Sequence, residues 1–179
     1  MIDLETLKKL AVQGNAAAQS DLGRCFLYGL QNAAINYDLA FVFFSRSAKQ
    51  KHPGGELGLG AMYYNGWGAY KDYAKAFEWF KKSALQGNKF ARFALGGMYY
   101  NGEFVEQDYY EAFQWYKKSA EQGHDKAQLQ IGTMCLKGEG TEPSYLKAKH
   151  WLTKAMKNGN EEAQKNLNSI KEMYLGIDY

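Results

Sequence analysis

The chain has 179 residues, 46% of them apolar, and a net charge of +3. That apolar share argues against a disordered chain, and the net positive charge is too weak and too dispersed to form a nucleic-acid footprint or to bind an anionic membrane. No apolar run approaches the length of a membrane span, and Met1-Ile2-Asp3-Leu4-Glu5 lacks the basic start and long apolar run of a secretory signal, so a cytoplasmic chain is expected.

Taken in order, residues 2–13 place Leu4, Leu7, Leu10 and Ala11 at helical spacing, ending at Gly14. Two helical segments then alternate four times. Asn15, His52, Asn88, His124 and Asn160 hold one position before the first segment of each pair, and Asn is a favoured N-cap. Asn36, Asp72, Asp108 and Ser144 hold the equivalent position before the second segment. Asp108 with Glu111 makes a capping box. Gly14, Gly87, Gly123 and Gly159 match left-handed helix ends, a series that Lys51 breaks. Residues 161–175 restart the first pattern with Ala163, Leu167, Ile170 and Tyr174, and Lys165, Asn166, Lys171 and Glu172 give them a polar face.

The alternation is a repeat. Trp79, Trp115 and Trp151 stand 36 apart, with Phe43 a further 36 before Trp79. Ala40, Ala76, Ala112 and Ala148 keep the same step, as do Leu59-Gly60, Leu95-Gly96 and Ile131-Gly132. One extra residue between Gly29 and Ala40 lies in an inter-helix loop, where helical arrays accept insertions. Glycine inside a helix costs about 1 kcal/mol relative to alanine. Its recurrence at Gly23, Gly60, Gly96 and Gly132 therefore predicts a close helix–helix approach, with the Trp of the second helix packed onto it. The expected organisation is all-α and a single repeat domain over 1–179. It has an N-terminal capping half-unit at 1–14, hairpins at 15–51, 52–87, 88–123 and 124–159, and a capping helix at 160–179.

The unit Ala91…Leu95-Gly96…Tyr99…Gly102…Asp108…Ala112…Trp115-Tyr116…Lys118-Ser119-Ala120…Gly123 resembles the Sel1-like repeat, a relative of the tetratricopeptide repeat. The first repeat departs by its longer loop and Phe43, and the fourth by Cys135, Pro143 and Ser144. In the third, Phe104 stands where the family usually has a loop Gly. The resemblance implies a right-handed superhelical α-solenoid of antiparallel helix hairpins, with first helices lining a concave side. It also implies a non-enzymatic module that binds a protein or peptide as adaptor or scaffold, or as an inhibitor such as a toxin-neutralising immunity protein. Some secreted relatives carry a Cys pair in each unit. Here Cys25 and Cys135 stand three units apart and are expected to be free.

No residue pattern implies a metal or cofactor. His52 and His124 are read as caps, and no Cys/His spacing suits zinc. Ser144-Tyr145-Leu146-Lys147 fits the S-x-x-K motif of penicillin-recognising serine hydrolases, but Ser144 falls on the repeat's cap position and the partner motifs are absent. Lys81-Lys82 and Lys117-Lys118 read as a solvated outer face.

By the resemblance, residues two before and five or six after the packing Leu face the groove. These are Ser20, Leu27 and Tyr28 in the first repeat, then Leu57, Tyr64 and Asn65 in the second. The third supplies Phe93, Tyr100 and Asn101, and the fourth Leu129, Leu136 and Lys137. Arg24 lies on the same side. The expectation is an aromatic and amide surface centred on the middle repeats, with the chain monomeric and neither nucleic acid nor membrane as its partner.

Overall fold

The computed structural model describes residues 2–175, with side chains through Lys171. Ten α-helices follow in order: α1 (Leu4–Val12), α2 (Ala16–Tyr28), α3 (Tyr37–Lys49), α4 (Pro53–Asn65), α5 (Tyr73–Leu85), α6 (Lys89–Asn101), α7 (Tyr109–Glu121), α8 (Asp125–Lys137), α9 (Tyr145–Lys157) and α10 (Glu161–Leu175). The described residues contain no strand. The side chains of Glu172 and Tyr174, read from the sequence as part of the terminal cap, lie outside the described residues.

The caps fix where each helix starts. Asn15 Oδ1 accepts from the Ala18 amide at 2.9 Å, and His52 Nδ1 and His124 Nδ1 accept from Gly54 and Ala127, each at 3.2 Å. In front of the second helices, Asn36, Asp72 and Asp108 accept from the amides of Leu39, Lys75 and Glu111 at 2.9 to 3.0 Å. Each bond satisfies an amide that the helix itself leaves open. Gly14, Gly87, Gly123 and Gly159 are left-handed, with φ between 78 and 94°, as expected. Lys51 occupies the same region at φ 57°, although it carries a side chain.

The chain divides into two compact units, Met1–Ala91 and Arg92–Tyr179. In the first, α1 packs on α2, α2 on α3 and α4, α3 on α4, and α4 on α5. Two core clusters result. One gathers Leu7, Ala11, Ala18, Leu22 and Cys25, and the other Leu27, Ala40, Phe44, Ala48, Leu59 and Met62. In the second unit α7 packs on α8, α8 on α9 and α9 on α10. Its clusters form around Ile131, Met134 and Cys135, and around Leu129, Leu152 and Ile170. Both cysteines are buried and free.

The helix-interior glycines do mark close approach, but the tryptophan is not what approaches. A Cβ on Gly23 would fall 2.8 Å from Phe44, on Gly96 2.5 Å from Tyr116, on Gly132 2.6 Å from Leu152, and on Gly60 closer still to Phe80. The packing residue is therefore the one after Phe43, Trp79, Trp115 and Trp151. One residue turns a helix by about 100°. That rotation carries each Trp away from its own hairpin's glycine. Trp79 rests half-buried against the cluster of Leu27, Phe44 and Met62, which the preceding repeat largely supplies. Trp151 is half-buried against the cluster of Ala112, Tyr116 and Ile131, to which its own repeat and the preceding one both contribute. The outer side of each ring is covered by the Lys three residues on: Lys82, Lys118 and Lys154 lie 4.1, 4.4 and 4.7 Å from the ring centres. Lys82 and Lys118 thus cover indole rings as well as facing solvent.

A second contact recurs at buried polar positions. Gln19 donates to the Ala11 carbonyl and accepts from Gln50. Gln128 donates to the Ala120 carbonyl and accepts from Asn158. Glu56 holds the same slot, 4% exposed, and accepts from Gln86 Nε2 at 2.6 Å.

Candidate functional site

In the first unit, Tyr64 and Asn65 end α4. The Tyr64 ring is half-buried, edge-on to Tyr73 at 5.2 Å and 6.3 Å from Phe80, so it packs against the second helix of its own hairpin. Asn65 is exposed, and its Nδ2 donates to the Ala61 carbonyl one turn back at 2.9 Å. Leu57 is half-buried. Arg24 is exposed, with Nη1 3.7 Å from Asp21. Ser20 and Leu27 are buried, while Tyr28 is exposed.

In the second unit, Tyr100 leans on Tyr109 at 5.1 Å and Tyr116 at 6.5 Å, and its hydroxyl donates to Glu139 Oε2 at 3.0 Å. Glu139 Oε1 lies 3.5 Å from Lys137 Nζ. Burial raises the Tyr100 phenol above its usual value, and the bond to Glu139 adds to the shift. Tyr100 and Glu139 together hold the Lys137 ammonium above its usual value. Asn101 is exposed. Phe93 stacks on His124 at 4.7 Å and tilts against Tyr116 at 5.4 Å.

Leu129 requires a correction. It is buried, packed with Leu152, Ala155, Ala163 and Ile170, and presents no binding surface. In the second unit the slot two before the packing Leu points along the stack: Phe93 meets the cap of α8, and Leu129 meets α10. Leu136 is half-buried. Arg24, Asn65, Asn101 and Lys137 are exposed, with Tyr64 and Tyr100 half-exposed beside them. The sequence reading missed Glu139. Its only signal is its place two residues after Lys137, and that pairing depends on the left-handed Gly138 (φ 74°) returning the chain.

Ser144 is a cap. Its Oγ accepts from the Lys147 backbone amide at 3.4 Å, like the other residues at that position. No helix among the described residues is long and apolar enough to cross a membrane.

Stacked helical hairpins with a repeating cap, glycine and aromatic register define a helical-repeat protein of the solenoid class. The Sel1 repeat matches residues 16–52, 54–88, 89–124 and 125–160, and the chain belongs to that family. Among solved structures it is similar to c5321, a protective antigen of uropathogenic Escherichia coli strains with an SLR fold. The two are 35% identical with a TM-score of 0.88, over 99% of this chain and 38% of that one. A Sel1 repeat protein from Oxalobacter formigenes is 32% identical with a TM-score of 0.80, over 92% of this chain and 47% of that one. The immunity protein Pa5087 of Pseudomonas aeruginosa shares the fold at 21% identity, with a TM-score of 0.63 over 89% of this chain and 58% of that one. A 62-residue stretch is 37% identical to chitin synthase regulatory factor 3 of Schizosaccharomyces pombe, covering 35% of this chain and 7% of that protein. The chain thus spans less than half the length of c5321 and of the Oxalobacter protein.

Proposed function

We propose that the chain is a non-catalytic binding module that takes a protein or peptide segment at the ends of its first helices, each unit offering its own surface. Sel1 repeats generally act in protein–protein contacts. The observation that carries the reading is the repeated pair of a half-exposed tyrosine followed by an exposed asparagine, Tyr64-Asn65 in one unit and Tyr100-Asn101 in the other. Such a pair offers a rigid aromatic surface beside an amide that can bond an extended backbone. In the second unit Lys137 and Glu139 add an ion pair next to Tyr100, a charged group that can select a partner. Adaptor and inhibitor both use this surface, and a fold shared with an immunity protein admits the second role. The free, buried thiols suit a reducing compartment such as the cytoplasm.

The test is an affinity pull-down with mass spectrometry, comparing the parent with Asn65→Arg/Asn101→Arg. Both positions are exposed. The variant should therefore keep its helical circular dichroism and its melting temperature, because exposed substitutions shift stability by only about 0.5 kcal/mol. It should lose a partner that the parent captures. A variant that retains that partner overturns the placement of the surface. Tyr64→Ala and Tyr100→Ala serve less well, since both rings also pack against a second helix.

A further inference from the structure

The repeats provide an internal control for which exposed side chains are ordinary. Two outward positions of the second helices are occupied by Lys75 and Glu78 in α5, Glu111 and Gln114 in α7, and Lys147 and His150 in α9. In α3 the same positions hold Leu39 and Val42, which are 39% and 41% exposed. Just upstream, Cys25 through Tyr37 contains no charged residue, and Ile35 in that stretch is 60% exposed. Three copies of one helix are polar at these positions where the fourth is apolar. The requirements of the hairpin therefore do not account for Leu39 and Val42.

The charges flanking this face say what covers it. Asp38 stands four residues before Val42 and Arg46 four after, both exposed. Ile35 stands seven before and Lys49 seven after. The charges are symmetric about Val42, and Asp38, Val42, Arg46 and Lys49 lie on one side of α3, at steps of four and three, while Ile35 precedes the Asn36 cap. In α5, α7 and α9 the residue four before the centre is Ala74, Tyr110 and Leu146, so only α3 has an acid opposite its base.

We infer that the outer face of α3 is a homodimer interface, on which α3 meets α3 of a second copy antiparallel across a two-fold axis at Val42. The two Val42 side chains meet at the centre. Each Asp38 faces the other copy's Arg46. Asp38 and Arg46 are each about 6 Å along the helix from the axis, within the span over which two crossed helices touch. An isologous contact requires a self-complementary patch, and this stripe supplies one in apolar character and in charge. The inference does not depend on the binding face proposed above, which lies on the first helices.

Sedimentation velocity and light scattering on the intact chain, from micromolar to sub-millimolar concentration, should show a concentration-dependent dimer. Leu39→Lys/Val42→Glu restores the residues α5 already carries there, so it should fold and remain monomeric. Asp38→Arg and Arg46→Asp should each weaken self-association about tenfold or more, by facing like charges across both contacts. Mixing the two charge variants should recover the dimer as a heterodimer, because both contacts are then opposite in charge. A parent chain monomeric throughout overturns the inference. So does a dimer that survives Leu39→Lys/Val42→Glu, or a mixture of the charge variants that associates no better than either alone.

Discussion

Glu56 is a carboxylate in a slot built for an amide. At the same position Gln19 and Gln128 accept from one helix end and donate to the carbonyl of the helix before. Glu56 makes the accepting bond from Gln86, and when ionised it has no hydrogen to donate toward the Ala48 carbonyl that corresponds to Ala11 and Ala120. Burial raises its carboxyl above the usual value, with the Gln86 bond and the Lys82 charge working against the shift. A carboxyl whose folded value exceeds its unfolded one holds its proton more tightly in the folded chain. Its stabilising contribution is therefore complete at acid pH and fades as pH rises through the folded value. Glu56→Gln should stabilise the chain by about 1 kcal/mol at neutral pH. Thermal melts from about pH 4 to about pH 8 should show the gain over the parent widening as pH rises. A variant that melts no higher than the parent at neutral pH would refute this account. Lys51 is the second residue at odds with its slot. Its left-handed backbone suits glycine, so Lys51→Gly should raise stability by about 1 kcal/mol in the same melts. The sequence showed Lys51 as a break in the glycine series. It could not show Glu56, whose slot is defined by the bond it accepts from Gln86 at the C-terminal end of α5.

At the scale of the helix, the side-chain caps were legible, because a cap is a local bond between a side chain and an amide two or three residues on, although the Asp108 amide bonds the Tyr99 carbonyl rather than closing a capping box with Glu111. The interior glycines were half legible. Their spacing announced close approach, but the partner on the facing helix is a matter of rotation, and a one-residue difference exchanges the inside of the hairpin for the contact with the preceding repeat. Phe44 is held from two sides, since a Cβ on Gly58 as well as on Gly23 would strike its ring. Gly60→Ala should cost about 1–3 kcal/mol by overpacking, outweighing the roughly 1 kcal/mol that alanine adds to helix propensity. Urea unfolding measures it, and a variant as stable as the parent would mean that Phe80 can move aside. The candidate surface was legible only in part. Asn65, Asn101 and Lys137 could be placed by register, whereas the burial of Leu129 depends on α10 lying over it.

Over the whole chain, the order of helices followed from the period, since self-similarity needs no tertiary knowledge. What holds successive repeats together did not, because Trp79 packs against a cluster that the preceding repeat largely supplies. Trp79→Ala should cost about 2–4 kcal/mol, less than a fully buried aromatic would. Hydrogen exchange should quicken in α2 and α3 as well as in α4 and α5, as expected for an array stabilised by nearest-neighbour contacts. Loss confined to α5 would contradict the stapling role. Trp79→Phe should cost far less, because Phe43 already fills that slot in the first repeat. That tolerance, with the Lys cover over each ring, has an optical consequence. The chain has four tryptophans, three of them at equivalent sites in successive hairpins, and each equivalent indole should tolerate phenylalanine as the first repeat does at Phe43. Phenylalanine at two of the three equivalent sites leaves one of them as the reporter of a known repeat, beside Trp67 as a constant background. The order in which hairpins come apart can then be followed by intrinsic fluorescence, one repeat at a time, with no dye attached.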